Sequence, residues 1–280
     1  MADVVLNLIH RDVVSTSGSS VVAARGRAGV EFLASSDRHF RPVNMTVGPD
    51  GGLFVIDMHR TVIEHPEWIP DELEKNMDLN AGKEKGRIYK MVPLRGEMHQ
   101  MYTPADVGSE DLVAMLGHPN QWYRLTAQRL LVESAVDPQL NKLLKENARH
   151  VEHQDPLYQA HLLWTLEGKG LIDSDLLSVF MTSDHARVRE QALRVAESHI
   201  EAAEVQEMVW QLVKDDDLRV RRQASLTLSL VPKEIRGRWT DEQIMLLARL
   251  AFFAAEDIWI QQAVVLALRD FPMKLLLSLI

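Results

Sequence analysis

The chain has 280 residues, of which 46% are hydrophobic and 25% charged, and its formal net charge is −9. This length allows one large domain or two ordinary ones, and the composition is that of a folded protein. The acidic balance argues against nucleic acid as a partner, because that binding needs lysine and arginine to neutralise phosphates. The absence of cysteine excludes disulfides, iron–sulfur clusters, thiolate zinc sites and a cysteine nucleophile.

The first third of the chain predicts short strands joined by turns. Around Pro49–Gly52, proline presets φ, aspartate can bond its own backbone and glycine supplies positive φ, so this segment predicts a hairpin. A loop follows, with one short helix beginning near Pro70. The predicted strands are 4–9, 21–24, 45–47, 53–56 and 86–92.

Three segments of this region carry a family resemblance. Asn7–Val14 (NLIHRDVV), Phe40–Pro70 (beginning FRPVNMTVGPDGGLFVID) and Gly86–Pro93 (GRIYKMVP) resemble the closing propeller segment of large membrane-bound dehydrogenase-like proteins. That propeller is similar to the one in glucose/sorbosone dehydrogenases, and a helical repeat array often follows it. The chain departs from the pattern because most blades are absent and no Cys-x-x-Cys-His segment follows. The resemblance implies an exported or periplasmic parent protein.

In the remaining residues, a helical pattern of apolar residues recurs, and each copy contains an alanine at the same position. These alanines are 32 to 39 residues apart. The residues three and four positions after each alanine lie on one face of a helix and are apolar, except Thr227 after Ala224. A preceding helix recurs with apolar residues 15 and 11 positions before the alanine. The second repeat lacks this pair, so we expect its first helix to be shifted or irregular. The alanines are Ala127, Ala160 (a weaker copy), Ala192, Ala224 and Ala263.

These patterns predict an α+β fold, mostly α, in two domains. Residues 1–95 are predicted to form a short antiparallel β segment, a partial β-propeller with the closing blade and part of a neighbour. Residues 96–280 are predicted to form a HEAT-like α-α superhelix, a solenoid of about five helix pairs. The apolar end, Leu275–Ile280, predicts that further repeats or a partner cover it. No segment predicts a membrane span or a signal peptide, so we expect a soluble chain.

His59, Arg60, Glu64 and His65 crowd the loop after the 53–57 strand. One interpretation places a proton-transfer group or an anion-binding arginine at the propeller mouth. The alternative is that these side chains anchor the loop through hydrogen bonds and ion pairs. Their spacing matches neither a His-Glu-x-x-His helix nor a calcium loop, so no metal site is predicted.

His10, Arg11 and Arg41 lie where predicted strands meet loops. The resemblance implies that such positions could contact a substrate or a quinone cofactor. Alternatively, the arginines tie adjacent blades together through backbone carbonyls. The motifs that carry the catalytic histidine of sugar dehydrogenases have no match here, so no catalytic or cofactor-binding residue is assigned. Asp50 and Asp57 are interpreted as structural.

A recurring group of arginines begins the second helix of two repeats and is a candidate partner-binding stripe. Asp184 and Asp215–Asp217 precede these arginines, so ion pairs between repeats are the alternative. Two tryptophans at matching positions are candidate anchors for a partner or, alternatively, packing residues. The candidates are Arg187, Arg189, Arg219, Arg221, Arg222, Trp122 and Trp259.

Two functional hypotheses follow. The first is a protein-interaction or scaffold module, the C-terminal part of a dehydrogenase-like protein, without catalytic competence or a cofactor of its own. The alternative, motivated by the resemblance, is part of a quinone-dependent sugar or alcohol dehydrogenase with pyrroloquinoline quinone and calcium. The expected partner is another protein or the missing upstream blades, and strand edges or the apolar C-terminus predict self-association. A truncated gene product is a third interpretation.

Overall fold

The computed structural model describes residues 1–95, 101, 103–151 and 154–273. The fold is α+β and mostly α, as the sequence predicts. Backbone contacts divide the chain into two units. Unit 1 comprises Met1–Ser15, Ala23–Thr103 and Asn120–Trp122, and unit 2 comprises Thr16–Val22, Pro104–Pro119 and Tyr123–Ile280. The predicted apolar end at 275–280 lies outside the described residues.

The first third of the chain forms eight short strands in three small sheets, against five or six predicted. One sheet has the order β1-β2-β5, a second pairs β3 with β4, and a third has the order β6-β7-β8. The pairings within both three-stranded sheets are antiparallel. The strands are β1 (Ala2–Asp3), β2 (Leu8–Ile9), β3 (Asp12–Ser17), β4 (Ser20–Arg25), β5 (Leu33–Ala34), β6 (Pro42–Val47), β7 (Leu53–Asp57) and β8 (Arg87–Met91).

The predicted strand over residues 4–9 is wrong because a turn interrupts it. Asp3 Oδ1 accepts the backbone N–H groups of Val5 and Leu6, both at 2.9 Å. Asn7 then adopts φ 58°, a left-handed conformation that asparagine tolerates better than most residues. Only Leu8–Ile9 remains extended, as β2.

The predicted hairpin between β6 and β7 is confirmed. Val47 pairs with Leu53, and the Asp50 carboxylate accepts the Gly52 N–H at 3.0 Å. Gly51 has φ 83°, which a residue with a side chain rarely adopts. The small core of unit 1 consists of three buried side chains, Ile9, Phe40 and Val55, with partly buried neighbours around them.

Twelve α-helices lie within the described ranges. None of them is long and apolar enough to cross a membrane. The short helix predicted near Pro70 is α1. The helices are α1 (Asp71–Glu74), α2 (Ser109–Met115), α3 (Gln121–Glu133), α4 (Pro138–Arg149), α5 (Pro156–Gly168), α6 (Ser174–Met181), α7 (Ala186–Ala196), α8 (Ala203–Leu212), α9 (Leu218–Ser229), α10 (Lys233–Arg236), α11 (Asp241–Phe253) and α12 (Ile258–Ala267).

The helices of unit 2 pack in a repeating order. Neighbours pair as α4 with α5, α6 with α7, α8 with α9 and α11 with α12, while α5, α7, α9 and α12 pack against one another in succession. Aspartates begin many of these helices because their carboxylates accept the free N–H groups of the first turn. These N-cap residues are Asp137, Asp155, Asp173, Asp217 and Asp257.

The alanine register places small residues where successive helices approach each other. Ala127, Ala192 and Ala224 are completely buried and Ala263 is 2% exposed, whereas Ala160 of the weaker copy is only half-buried. Helix α4 is shifted but regular, with Leu140, Leu144 and Ala148 buried. Phe252 follows the apolar spacing of α11, yet it is 60% exposed in the last turn of that helix.

Candidate functional site

The loop after β7 in unit 1 is organised by Asp57, which is 1% exposed. Its Oδ1 accepts the backbone N–H of Arg41 at 2.7 Å and that of His59 at 2.8 Å. His59 has φ 51° and is 7% exposed. Because a bulky residue rarely adopts this conformation, the carboxylate that fixes its N–H also holds the loop in place.

The His59 ring lies between a cation and a carboxylate. Its Nε2 is 3.1 Å from Arg87 Nη2, and its Nδ1 is 3.6 Å from Asp57 Oδ2. Arginine can only donate, so Nε2 accepts and the proton of the neutral ring is assigned to Nδ1. The ring also stacks on His39, with centroids 5.1 Å apart. The lone pair that a general base needs is therefore engaged by Arg87.

Four buried polar atoms in this loop make no hydrogen bond to the described residues: Asp57 Oδ2, His59 Nδ1, Arg60 Nε and Thr61 Oγ1. Leaving such atoms unpaired costs about 1–3 kcal/mol each, so a cluster of them is unusual in a folded core. The loop contains His59, the one buried residue among the seven catalytic candidates.

Arg41 and Arg60 bind backbone carbonyls. The Arg41 guanidinium donates to the carbonyls of Val4 at 2.7 Å, Arg60 at 2.9 Å and Thr61 at 2.9 Å. Arg60 Nη2 donates to the Leu79 carbonyl at 2.6 Å. These are the contacts of the structural alternative, in which arginines tie neighbouring segments of the sheet region together.

His10 is held between two carboxylates. Its Nδ1 is 2.7 Å from Glu31 Oε2, and its Nε2 is 2.7 Å from Asp12 Oδ1. Hydrogen bonds to Glu31 and then Asp12 raise the pKa of the imidazole above its usual value. Glu31 in turn accepts from Arg25 at 2.6 Å. An imidazole that bonds carboxylates through both nitrogens is favoured as a cation and has no free lone pair.

The remaining catalytic candidates stay apart. Arg11 lines a small cavity of about 180 Å³ with Glu31 and neighbouring residues. Glu64 and His65 are exposed; His65 Nδ1 accepts the backbone N–H of Glu67 at 3.4 Å and lies 4.0 Å from the Glu67 carboxylate. The described residues therefore do not bring the seven predicted side chains into one constellation.

The calcium ion that the family resemblance implies needs six to eight oxygen ligands. Across the described stretches of the chain, no three His, Cys, Asp or Glu side chains are placed to hold a metal ion. Asp57 and Asp50, the acidic residues nearest the predicted propeller turns, are engaged by backbone N–H groups, and Asp50 also bonds Lys90. These residues do not fit a calcium site.

The arginines of unit 2 bond to the turns between helices. Arg189 binds Asp215 through two hydrogen bonds, of 2.7 and 2.8 Å, and donates to the Ser183 carbonyl at 2.7 Å. Arg219 pairs with Asp217 at 2.8 Å, and this bond is the main reason that the pKa of Asp217 falls to about 2. Arg189 and Arg219 of the predicted stripe are therefore both engaged in ion pairs.

Arg221 bonds the Asp215 carbonyl, while Arg187 is half exposed and pairs with Glu190 at 2.9 Å. Arg222 is partly buried, and its Nε has no partner among the described atoms. Arg187 is therefore the member of the stripe with the most accessible charge.

Sequence reasoning missed Arg124, which has the same role in an earlier repeat. Its guanidinium donates to the carbonyls of His118 at 2.6 Å and Pro119 at 2.9 Å. Arg124, Arg189 and Arg221 each bond the carbonyl six residues before them. Each of the three arginines lies three residues before the alanine that defines its repeat. Aligning the repeats on these alanines would therefore have identified Arg124 as a residue that bonds the preceding turn.

The predicted tryptophans differ in environment. Trp122 is half-buried, and its N–H bonds Asn120 Oδ1 at 2.9 Å. Trp259 is 52% exposed and lines a cavity of about 750 Å³ in unit 2. Its lining includes the exposed apolar side chains of Val21, Phe253 and Ile258. We call it the α11–α12 cavity; apart from Trp259 and Arg221, its lining was not predicted as a site.

A fixed turn forms one wall of the α11–α12 cavity. The N–H and Oγ of Ser19 donate to the Asp257 carboxylate at 2.6 and 2.7 Å. The same carboxylate caps α12 by accepting the N–H groups of Trp259 and Ile260. Burial opposes ionisation of Asp257, but the Ser19 bonds lower its pKa overall. A side chain at Gly18 would begin only 2.6 Å from Asp257 Oδ2, so glycine is required there.

The structure thus defines an α+β chain with a small β unit and a larger unit of paired helices. Residues 1–95, one third of the chain, match a family described as Domain of unknown function (DUF7133). No curated protein sequence matches the chain.

Two crystal structures of engineered proteins, solved by the Northeast Structural Genomics Consortium, are similar to segments of this chain. One has 19% identity over 57% of this chain and 77% of its own, with a TM-score of 0.37. The other has 22% identity over 58% of this chain and 80% of its own, with a TM-score of 0.40.

Proposed function

We propose that this chain is a protein-interaction module. In this proposal unit 2 is a HEAT-like helical array, the first 95 residues are partial propeller blades, and the whole is the C-terminal part of a dehydrogenase-like protein that is not catalytic alone. The successive packing of α5, α7, α9 and α12 supports the repeat interpretation, because solenoid repeats contact their neighbours in this way. The sequence resemblance supports the rest.

One observation carries the proposal: the α11–α12 cavity exposes large apolar side chains together. Phe253 is 81% exposed, Ile258 54% and Trp259 52%. Clustered apolar surface of this kind marks interaction sites, and aromatic residues dominate binding energy at protein interfaces. By contrast, the enclosed histidine His59 has its accepting nitrogen engaged by Arg87.

The test replaces single side chains of the full chain with a photo-crosslinking phenylalanine analogue, in cells of the source organism. Phe253 lines the cavity, and Phe252 is also exposed but does not line it, so the two positions form a matched pair. We expect one discrete protein adduct from position 253 and much less from position 252. The absence of an adduct at both positions would contradict an interaction role at this cavity.

The quinone-dependent dehydrogenase is the alternative, motivated by the resemblance of residues 7–14, 40–70 and 86–93. Purified chain is mixed with pyrroloquinoline quinone, calcium and a panel of aldoses, and reduction of an artificial electron-acceptor dye is followed. The interaction proposal expects no reduction above that of the cofactor alone. Turnover that depends on the protein would establish the alternative.

A further inference from the structure

Strands β3 and β4 form a two-stranded sheet that no other described strand extends. Every residue of β3 is exposed, and so are five of the six in β4. The outer edge of each strand therefore presents backbone N–H and C=O groups that no strand pairs. Such an edge is a template for another extended segment.

The turn end of this hairpin, Thr16–Val22, belongs to unit 2 and is held there. The bonds from Ser19 to Asp257 fix the turn at the start of α12, and Arg219 Nη1 lies 3.3 Å from Thr16 Oγ1. Ser20, Val21 and Val22 of β4 consequently line the same cavity as the α11–α12 connection. A preformed edge beside a preformed cavity lowers the ordering cost of binding.

The chemistry of the cavity narrows the choice of occupant. Its volume of about 750 Å³ lies within the range of small-ligand sites, roughly 300–1,000 Å³, so it has room for side chains. Phe253, Ile258 and Trp259 supply an apolar surface, and Glu256 adds an exposed carboxylate. Arg221 also lines the cavity, but it is partly buried and bonds the Asp215 carbonyl. The unpaired N–H and C=O groups of a strand edge pair with the regularly spaced amide groups of a peptide, which a lipid or a metabolite lacks. The apolar surface and the carboxylate favour apolar and basic side chains respectively.

We propose that an extended segment of a partner protein adds to the Ser20–Val22 edge of β4 as a third strand. Its apolar side chains enter the α11–α12 cavity, and a lysine or arginine meets Glu256. Main-chain hydrogen bonds then supply affinity, and the cavity supplies selectivity. This inference rests on the proposed interaction function and specifies the class of partner.

The experiment uses the full chain and a panel of fluorescein-labelled octapeptides that alternate valine, leucine or phenylalanine with lysine, serine or glutamate. Binding is followed by fluorescence anisotropy. We expect the lysine series to bind most tightly and its binding to weaken at high salt. N-methylation of alternate amides on the edge-facing side should reduce affinity at least about tenfold, because it removes the main-chain donors. No binding by any peptide, or equal binding of methylated peptides, would overturn the strand mechanism.

Matched variants locate the site. Phe253→Ala should weaken the best peptide at least about tenfold, while Phe252→Ala, which removes only an edge-to-face ring contact with Phe253, should weaken it much less. Glu256→Lys should reverse the preference between lysine and glutamate peptides. Circular dichroism of each variant checks that the fold is kept. Equal losses in the two phenylalanine variants would refute the assigned location.

Analytical ultracentrifugation tests whether the cavity binds a partner protein or a second copy of this chain. If the chain dimerises and Phe253→Ala abolishes the dimer, the cavity is a self-interface and the proposal is wrong. Peptide binding that depends on Phe253 but not on the amide groups would retain the interaction function and reject the added strand. Loss of both the peptide signal and the crosslink at 253 would reject both proposals.

Discussion

Arg189 offers the sharpest test of whether the arginine stripe supports the fold or binds a partner. Its side chain is 16% exposed, and the Asp215 carboxylate that it binds is 6% exposed. Arg189→Ala removes both bonds to Asp215 and the bond to the Ser183 carbonyl, and leaves a buried carboxylate with the Asp217 N–H as its remaining bond. Removing one partner of a buried pair costs about 3–5 kcal/mol. Partial exposure places this loss near the lower end, at about 3 kcal/mol.

Urea unfolding followed by far-UV circular dichroism measures this loss. With a slope of roughly 1–3 kcal/mol per molar urea, the midpoint should fall by about 1 M or more. The matched control is Arg187→Ala, because Arg187 is 53% exposed and the buried Glu190 keeps its ion pair with Arg194 at 3.3 Å, so the loss should be less than about 1 kcal/mol. Adding Asp215→Asn to the Arg189 variant should recover some of the loss. Equal effects of the two arginine variants would refute the structural role.

Two further predictions concern unit 1. The pKa of His10 is raised by its bonds to Glu31 and a second carboxylate, so its stabilising effect should be complete below about pH 6.5 and decline as the pH rises through the higher folded value. The difference in thermal midpoint between wild type and His10→Gln should therefore shrink in alkaline buffer; a constant difference would contradict this. Gly82→Ala should destabilise by about 3 kcal/mol, because φ is +85° and the new Cβ would clash with the His59 carbonyl oxygen. Gly29→Ala, with φ +69° and open space, is the control at about 1 kcal/mol, and equal urea midpoints would contradict the clash.

The helices could be predicted because their signals are local. An alanine with apolar neighbours three and four residues later fixes one face of a helix, whichever partner covers that face. The same signal predicted the burial of Ala192 and Ala224. It failed at Phe252, since periodicity indicates a face and not whether another element covers that face in the last turn of the helix.

The strands were less predictable because hydrogen bonds from side chains to the backbone form a turn where the β propensity of the residues favours a strand. The run Val4–Ile9 is rich in β-branched and aliphatic residues, yet Asp3 and Asn7 close a turn inside it. Both residues were visible in the sequence as turn formers. Their effect exceeded that of the apolar run because β propensity depends on a neighbouring strand to pair with.

The candidate sites show the limit of sequence reasoning most clearly. Position at strand ends and in loops made His59, His65 and His10 catalytic candidates, but the fold assigns each a different neighbour. The α11–α12 cavity joins Val21 to Trp259, and no local pattern links residues so far apart in the chain. The structure shows a conflict there that no local pattern signalled: Phe253 ends α11 and is exposed, although Ile244, Leu247 and Leu250 of the same helix are buried.

That conflict bears on how the chain would bind. An apolar residue left exposed at the end of a helix adds nothing to the packed core, and it raises the risk of aggregation. Unit 2 nevertheless uses several hydrogen bonds to hold a strand edge beside this residue, with the Asp257 carboxylate accepting from Ser19 and from the first turn of α12. If that bond network serves only to cap α12, Ser19→Ala should lower stability and leave peptide binding intact in the folded fraction. If it also holds the edge in place, affinity should fall even where the variant remains fully folded.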